Sequence, residues 1–283
     1  MEKEWMFGPA RDMRPLPPPE PGLSAPVKRS GGLHRSLGGR TTVDSLGFWS
    51  EYEFNFLYLE PEEFSWLEAL YTRMVPGPMY LRDPMRPNLM SRRSVQAQMA
   101  YHSGDGFGWD SDTTLQTLVM LNTPVPITYR AVQWSSLSNG NYVVPDLGST
   151  YPLLPSTPFS WSVYVRPSVD TDLRLNVDTY WRYDQTGGIN GTPVTCQAGT
   201  WTRLTEKFDP DRSSVDAVNP VLWCLSDLAD SDYVDITAPH AEYSSTLGEP
   251  DIGGGLIEAA ITSLDVTSQR YPLRTAKVTI MET

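Results

Sequence analysis

The chain holds only two cysteines, Cys196 and Cys224, in 283 residues. Thiols this sparse exclude a disulfide framework and fall short of the about four N/S ligands that a structural zinc site takes. One bridge between the two stays open to a reading of sequence, and two reduced thiols fit a chain assembled in a cytoplasm. Histidine is nearly as scarce. His34, His102 and His240 stand far apart, with no His-Glu-x-x-His pattern or paired spacing, which argues against a histidine-held metal. Neither a metal nor a cofactor is expected. No Gly-x-Ser-x-Gly elbow occurs and no cysteine neighbours a histidine, so nucleophilic catalysis has no support and no catalytic residue is assigned. No apolar run approaches the ~20 residues of a membrane span, and the first residues lack the apolar core of a signal peptide. Neither membrane insertion nor signal-dependent export is expected.

Basic residues are also in short supply. Lys and Arg number 22 against 34 Asp and Glu, a net charge of −12, and the imbalance is local. Residues 1–100 carry 12 of each sign, whereas residues 101–283 carry 10 basic and 22 acidic side chains. An acidic module repels phosphate backbones and anionic membranes, so no nucleic-acid partner is expected.

What is abundant points to strands. Hydrophobic residues make up 40% and charged residues 20%, enough apolar content for a packed core. With 25 Pro and 21 Gly, turns and extended segments are favoured over helices. Phe159-Ser-Trp-Ser-Val-Tyr-Val-Arg166 alternates strictly between Phe159, Trp161, Val163, Val165 and Ser160, Ser162, Tyr164, Arg166. That period of two marks a strand with one face on a core. Similar patterns recur at 173–183, 201–208 and 233–236, with further strands predicted at 131–134, 142–144, 217–225, 258–266 and 274–281. The fold class expected is mainly β: a small β module with one helix, then a jelly-roll β-sandwich of the galectin or carbohydrate-binding-module (CBM) kind.

Three segments follow. Residues 1–30, with Arg14-Pro-Leu-Pro-Pro-Pro-Glu-Pro21, read as a Pro-rich extended N-terminal arm, and Trp5, Met6 and Phe7 suggest that it docks on something. Residues 31–95 read as the β module. Its Gly31–Arg40 stretch lacks Walker spacing and is predicted to be a turn between strands. Its helix spans Pro61 to Arg73, with Pro61 at a first helical position and Glu60, Glu62 and Glu63 at the positive dipole end. The apolar stripe comprises Phe64, Leu67 and Tyr71 with Trp66, Leu70 and Met74. Residues 96–283 read as the sandwich, after a polar joint beginning near Ser91.

Two sets of aromatic residues are candidate surfaces. Trp181 and Tyr183 share a face by alternation and could stack on a sugar ring, while Trp201 reads as a core residue. Tyr52, Phe54, Phe56 and Tyr58 share one face of a predicted strand and, with Trp5 and Phe7, are candidates for an assembly interface. The acidic turns at Asp209–Asp211 and Asp227–Asp232 are oxygen-rich enough for Ca²⁺, yet they lack EF-hand spacing. A glycosidase would need only two carboxylates, which sequence alone does not single out.

Phe159–Arg166, Gly199-Thr-Trp-Thr-Arg-Leu204 and Ile236-Thr-Ala-Pro-His-Ala-Glu242 resemble strand motifs of CBM-like jelly rolls. His34–Asp44, Glu62–Leu70, Pro76-Gly-Pro78, Asp83-Pro84 and Asn88 resemble the minor and distal tail proteins of long-tailed (siphovirus-like) bacteriophages. That resemblance implies a structural virion component in which the first module forms a ring, commonly of six copies, and joins the tail tube to host-recognition parts. Its partners would be sister copies and other phage tail proteins, and its place the virion after assembly in the host cytoplasm. The alternative is an adhesin whose sandwich grips a host cell-wall glycan. Both are non-enzymatic.

Overall fold

The computed structural model describes residues 4–30, 33–35, 41–43, 47–97, 108–120, 122–147, 150–154, 157–182, 184–211, 213–270 and 272–283. In chain order come β1 (Met6–Pro9), β2 (Arg14–Pro15), β3 (Val27–Ser30), β4 (Leu33–Arg35), β5 (Thr41–Val43), β6 (Gly47–Leu59), α1 (Pro61–Tyr71), β7 (Met79–Arg82), α2 (Arg92–Val95) and β8 (Gly108–Ser111). There follow β9 (Thr114–Val119), β10 (Arg130–Ser135), β11 (Tyr142–Leu147), β12 (Tyr151–Pro152), β13 (Phe159–Pro167), β14 (Thr171–Trp181) and β15 (Asp184–Cys196). The last strands are β16 (Thr202–Phe208), β17 (Ala217–Cys224), β18 (Tyr233–Glu242), β19 (Leu256–Arg270) and β20 (Leu273–Glu282). The fold is mainly β with one main helix, as the sequence predicts. Two compact units result: one comprises the chain up to Leu81 together with Ile257–Thr283, the other Arg82–Leu256.

The split unit is built on one sheet of order β2-β1-β7-β19-β20-β6-β3. Alternation along β6 sends Tyr52, Phe54 and Phe56 to one side, where their rings stack in succession and Trp5 meets the first two edge-on, with centroids 5.4 and 5.1 Å away. Phe64, Leu67 and Leu70 of α1 join the same core with Phe7, Leu81, Ala276, Val278 and Ile280. The helix starts where expected: the Glu63 carboxylate accepts the Glu60 N–H at 2.8 Å, satisfying one orphan donor of the first turn. It stops sooner than expected, at Tyr71, with Arg73 already at φ 58°. Tyr71 and Met74 therefore lie exposed, and the buried stripe is Phe64, Leu67 and Leu70.

Two expectations about this unit are corrected. The opening residues are not a separate arm, because β1, β2 and β3 are strands of the sheet and Phe7 is fully buried in its core. Nor does the unit end near residue 95. β20 pairs with β6 from Arg274↔Leu59 to Met281↔Glu51, and β19 pairs with β20, so the last strands of the chain return to it. Register between distant strands is set by side-chain packing on the shared face, which a window of sequence does not contain. Of the Gly31–Arg40 turn, β4 and β5 are paired from Leu33↔Val43 to Arg35↔Thr41, and residues 36–40 lie outside the described residues.

The Arg82–Leu256 unit is an antiparallel β-sandwich. One sheet has the order β16-β13-β18-β10-β9; the other runs β15-β14-β17-β11-β8, with β12 also paired to β17. The core face read in β13 is realised, with Phe159, Trp161, Val163 and Val165 buried beside Leu173, Leu175 and Val177 of β14. Ser160 and Ser162 of the face expected toward solvent are buried too, and only Tyr164 and Arg166 are partly exposed. The Trp161 Nε1–H donates to the Asn176 carbonyl at 3.1 Å, tying one sheet to the other. The joint expected from Ser91 to about Thr113 belongs to the sandwich unit, with residues 98–107 outside the described residues. Asn88 donates to the Pro239 and Asp251 carbonyls, and Asp146 accepts from the Ser91, Ser94 and Tyr151 hydroxyls. β15 was not anticipated, because its Thr-Gly-Gly-Ile-Asn-Gly-Thr-Pro run looks like a loop; it is an edge strand, where Gly and Pro are tolerated.

Candidate functional site

The residues that stand out lie on the outer face of the six-stranded sheet. Antiparallel register sorts them into rows across the strands. Arg174 of β14 pairs with Trp223 of β17, which pairs with Tyr142 of β11. Two residues along, Asn176 pairs with Val221, and Val144 pairs with Asp110 of β8. Asp178 and Asn219 form the next row, then Tyr180 and Ala217. Rows two residues apart are separated by roughly 6.7 Å, and neighbouring strands by about 4.8 Å. Opposite these, Leu173, Leu175 and Val177 fill the core, so the outward set follows directly from the pleat.

The rows form a groove. Asn176, Val221 and Val144 are buried although they face outward, whereas Arg174, Trp223, Asp178 and Tyr180 are partly exposed and Tyr142 is exposed. Asn219 and Ala217 of the next rows are buried as well, so this floor continues under Asp178 and Tyr180. One wall is aromatic: the Tyr142 and Trp223 ring centroids lie 5.7 Å apart with planes at 32°. The Tyr142 backbone is fixed by Asp112, whose carboxylate accepts its N–H at 3.1 Å, while the Ser111 hydroxyl donates to its carbonyl at 2.7 Å. The other wall is polar, and the Asn219 amide donates to the Tyr180 phenol oxygen.

Three polar atoms here are shielded from water and have no hydrogen-bond partner among the described residues: Trp223 Nε1, Arg174 Nε and Asn219 Oδ1. Two are donors and one is an acceptor. Leaving such groups unmade costs about 1–3 kcal/mol each. The electrostatics are negative. Burial pushes the Asp178 carboxyl above its ordinary range. Burial likewise raises the Tyr142 hydroxyl, followed by the charges of Asp112, Asp110 and Asp178. Tyr180 is raised by burial and by Asp178, against the opposing hydrogen bond from Asn219.

The predicted aromatic residues fall elsewhere. Trp181 lies at the end of β14, partly buried, with the Arg182 guanidinium 5.9 Å from its ring centroid, and Tyr183 lies outside the described residues. Trp201, read as core, is partly exposed: its Nε1–H donates to the Asn122 carbonyl and the Arg166 guanidinium sits 4.9 Å from its ring centroid. In the split unit, Phe7, Tyr52, Phe54 and Phe56 are spent on the core and present no assembly surface, while Trp5 is partly buried against them. Tyr58 is separated from this set by a bulge. Phe56 pairs with Ala276 and Leu59 with Arg274, so Leu57 and Tyr58 together oppose Thr275. Tyr58 takes φ 61° and points outward, and Leu59 fills the core position that alternation had given it.

Both cysteines are free and buried, and burial pushes the Cys196 thiol up to about 11. The acidic turns use their carboxylates internally, with Asp211 holding Ser213 and Asp232 holding the Ala229 N–H. Among the described residues no group of three or more His, Cys, Asp or Glu could hold a metal ion, and no helix is long and apolar enough to cross a membrane. Sequence reasoning placed Tyr142 and Trp223 on strands without joining them; the groove exists only through the β11–β17 register.

No protein-family model matches this chain, and no curated protein matches it in sequence. Among solved structures, it is similar to the CBM22-1–GH10 modules of a Clostridium thermocellum endo-1,4-β-D-xylanase complexed with xylohexaose. That similarity covers 50% of this chain and 26% of that chain, at 16% identity and TM-score 0.36. A xylan-binding domain from Paenibacillus barcinonensis is similar over 49% of this chain and 88% of its own, at 11% identity and TM-score 0.36. The enzymatically active domain of bacteriophage CBA120 tailspike protein 4 is similar over 55% of this chain and 21% of its own, at 10% identity and TM-score 0.39. Likenesses this distant carry no functional argument. The class of protein is defined by the sheets themselves: a mainly β chain with an antiparallel β-sandwich.

Proposed function

We propose that the sandwich unit is a non-catalytic glycan-binding module whose ligand lies in the groove on the outer face of the six-stranded sheet. The observation that carries this reading is the set of unpartnered atoms, Trp223 Nε1, Arg174 Nε and Asn219 Oδ1, beside the Tyr142–Trp223 pair. A sugar hydroxyl both donates and accepts, so one polyhydroxylated chain satisfies all three. The apolar face of a pyranose meanwhile packs on the aromatic rings. A phosphate-bearing ligand fits poorly, because Asp178, Asp110 and Asp112 surround the site.

The test is affinity electrophoresis against a panel of soluble plant and bacterial cell-wall polysaccharides, followed by titration calorimetry on those that retard the protein. Trp223→Ala and Tyr142→Ala are expected to weaken binding about tenfold or more each, ~1.4 kcal/mol. Trp201→Ala, on the other sheet, serves as the control. Retardation that survives the loss of both groove aromatics would remove this site.

A structural role in a phage tail is the second reading, with the split unit as the assembly module and the virion as its location. Leu57 and Tyr58, turned outward together by the bulge and both exposed, favour it. Sedimentation of the full chain at rising concentration tests self-assembly. A single monomeric species throughout, with no association in the presence of tail proteins, would discard that role.

A further inference from the structure

Asp178 is the unusual member of the groove. Burial displaces its carboxyl upward, and among the described residues no hydrogen bond or cation is set against that burial. Arg174 lies four residues away along the same face of β14, about 13 Å between backbones at ordinary strand rise. Asp178 pairs across the sheet with Asn219, whose Oδ1 is itself a buried acceptor with no partner. Two unused acceptors therefore stand side by side on one wall. At the far end of the floor, on β8, stands Asp110, roughly 15 Å from Asp178 by strand spacing. The potential of Asp112, Asp110 and Asp178 already reaches the Tyr142 hydroxyl between them.

We propose, resting on the glycan-binding reading above, that this groove selects polysaccharides whose sugar units carry free amino groups. An ammonium on a sugar ring would donate to the Asp178 carboxylate and the Asn219 carbonyl oxygen together. A second, further along the chain, would meet Asp110. Each contact is a charge-assisted hydrogen bond, stronger than one between neutral groups. A desolvated carboxylate gains most from such a partner. Uronic acid polymers would bring like charge into the same space, and neutral sugars would leave Asp178 unpaired. The 22 acidic against 10 basic residues of 101–283 act in the same direction at longer range. A lysine-rich peptide is also cationic, but it offers no pyranose face to the Tyr142–Trp223 wall.

The experiment is titration calorimetry of the full chain, at mildly acidic pH, with four probes: a β-1,4-linked glucosamine hexamer, its fully N-acetylated counterpart, a uronic acid hexamer and hexalysine. The glucosamine hexamer is expected to bind at least tenfold more tightly than the N-acetylated form, with the ratio shrinking as salt is added. Asp178→Asn should bring that ratio to about one, and Trp223→Ala should abolish binding of both sugars. An N-acetylated hexamer that binds as tightly as the amine overturns this selectivity and leaves glycan binding intact. Hexalysine matching the glucosamine hexamer overturns it in favour of peptides. No binding by any of these sugars overturns this inference, and the glycan reading falls with it only if the polysaccharide panel also fails to retard the protein.

Discussion

Arg166 and Asp235 form a cross-strand ion pair on β13 and β18, with Arg166 Nη2 and Nε at 2.8 and 3.2 Å from one carboxylate oxygen. The Asp235 side chain is only 1% exposed, and Gln133 Nε2 donates to its second oxygen at 3.3 Å. The guanidinium is also held against the Trp201 ring.

Removing the cation alone leaves a buried carboxylate uncompensated. Arg166→Met is therefore expected to destabilise the sandwich unit by about 3–5 kcal/mol in urea unfolding. Asp235→Asn, which removes the charge and keeps the shape, should cost less. Equal losses from the two variants would mean that an uncompensated buried carboxylate is not the source of the cost.

Asp178 gives a pH signature of opposite kind. Burial raises its folded-state value above the ordinary 3.8, so the folded chain binds this proton more tightly than the unfolded chain. Its contribution to stability then falls as pH rises through the window between those two values, and stays unfavourable at neutral pH. Asp178→Asn is expected to raise Tm at neutral pH, with the gain vanishing on acidification below about pH 3.8. A variant no more stable than the parent at neutral pH would show that the carboxylate has a partner in solution.

The last two strands make a prediction about truncation. Ala276, Val278 and Ile280 of β20 face the Phe54–Phe56 stack, and β20 stands between β19 and β6 in the middle of its sheet. Deleting residues 257–283 is expected to unfold the split unit, read as exposed Trp5 and Trp66 fluorescence and loss of the corresponding amide protection. Retention of protected amides in β6 after that deletion would contradict the strand order.

What the sequence revealed was what it encodes locally. β13 was legible because period-two alternation needs only eight residues, and α1 because Pro61 and Glu63 announce a helix start within one turn. β15 hid behind its glycines, which the sheet edge tolerates. Here Gly191 is not incidental, because a Cβ there would lie 2.4 Å from the Leu175 carbonyl oxygen. Tyr58 was misplaced because a bulge adds one residue to one strand, and alternation carries no record of it. The groove was illegible for a different reason. Trp223 ends a run, Ala-Val-Asn-Pro-Val-Leu-Trp, whose side chains are mostly buried on both faces, so no periodicity sets the ligand side apart. Only the pairing with Tyr142 does so.

The sandwich unit enters after β7 and leaves before β19, and those two strands are neighbours in the other sheet. Its two ends also meet each other, the Asp83 N–H donating to the Gly255 carbonyl at 2.8 Å. A unit inserted in this way is tied to the rest of the chain by two covalent crossings. A mechanical load on it is shared by both, and proteolysis at one crossing leaves it attached. A foreign domain whose own termini lie one strand spacing apart could be grafted between Arg82 and Leu256, which keeps β7 and β19 whole.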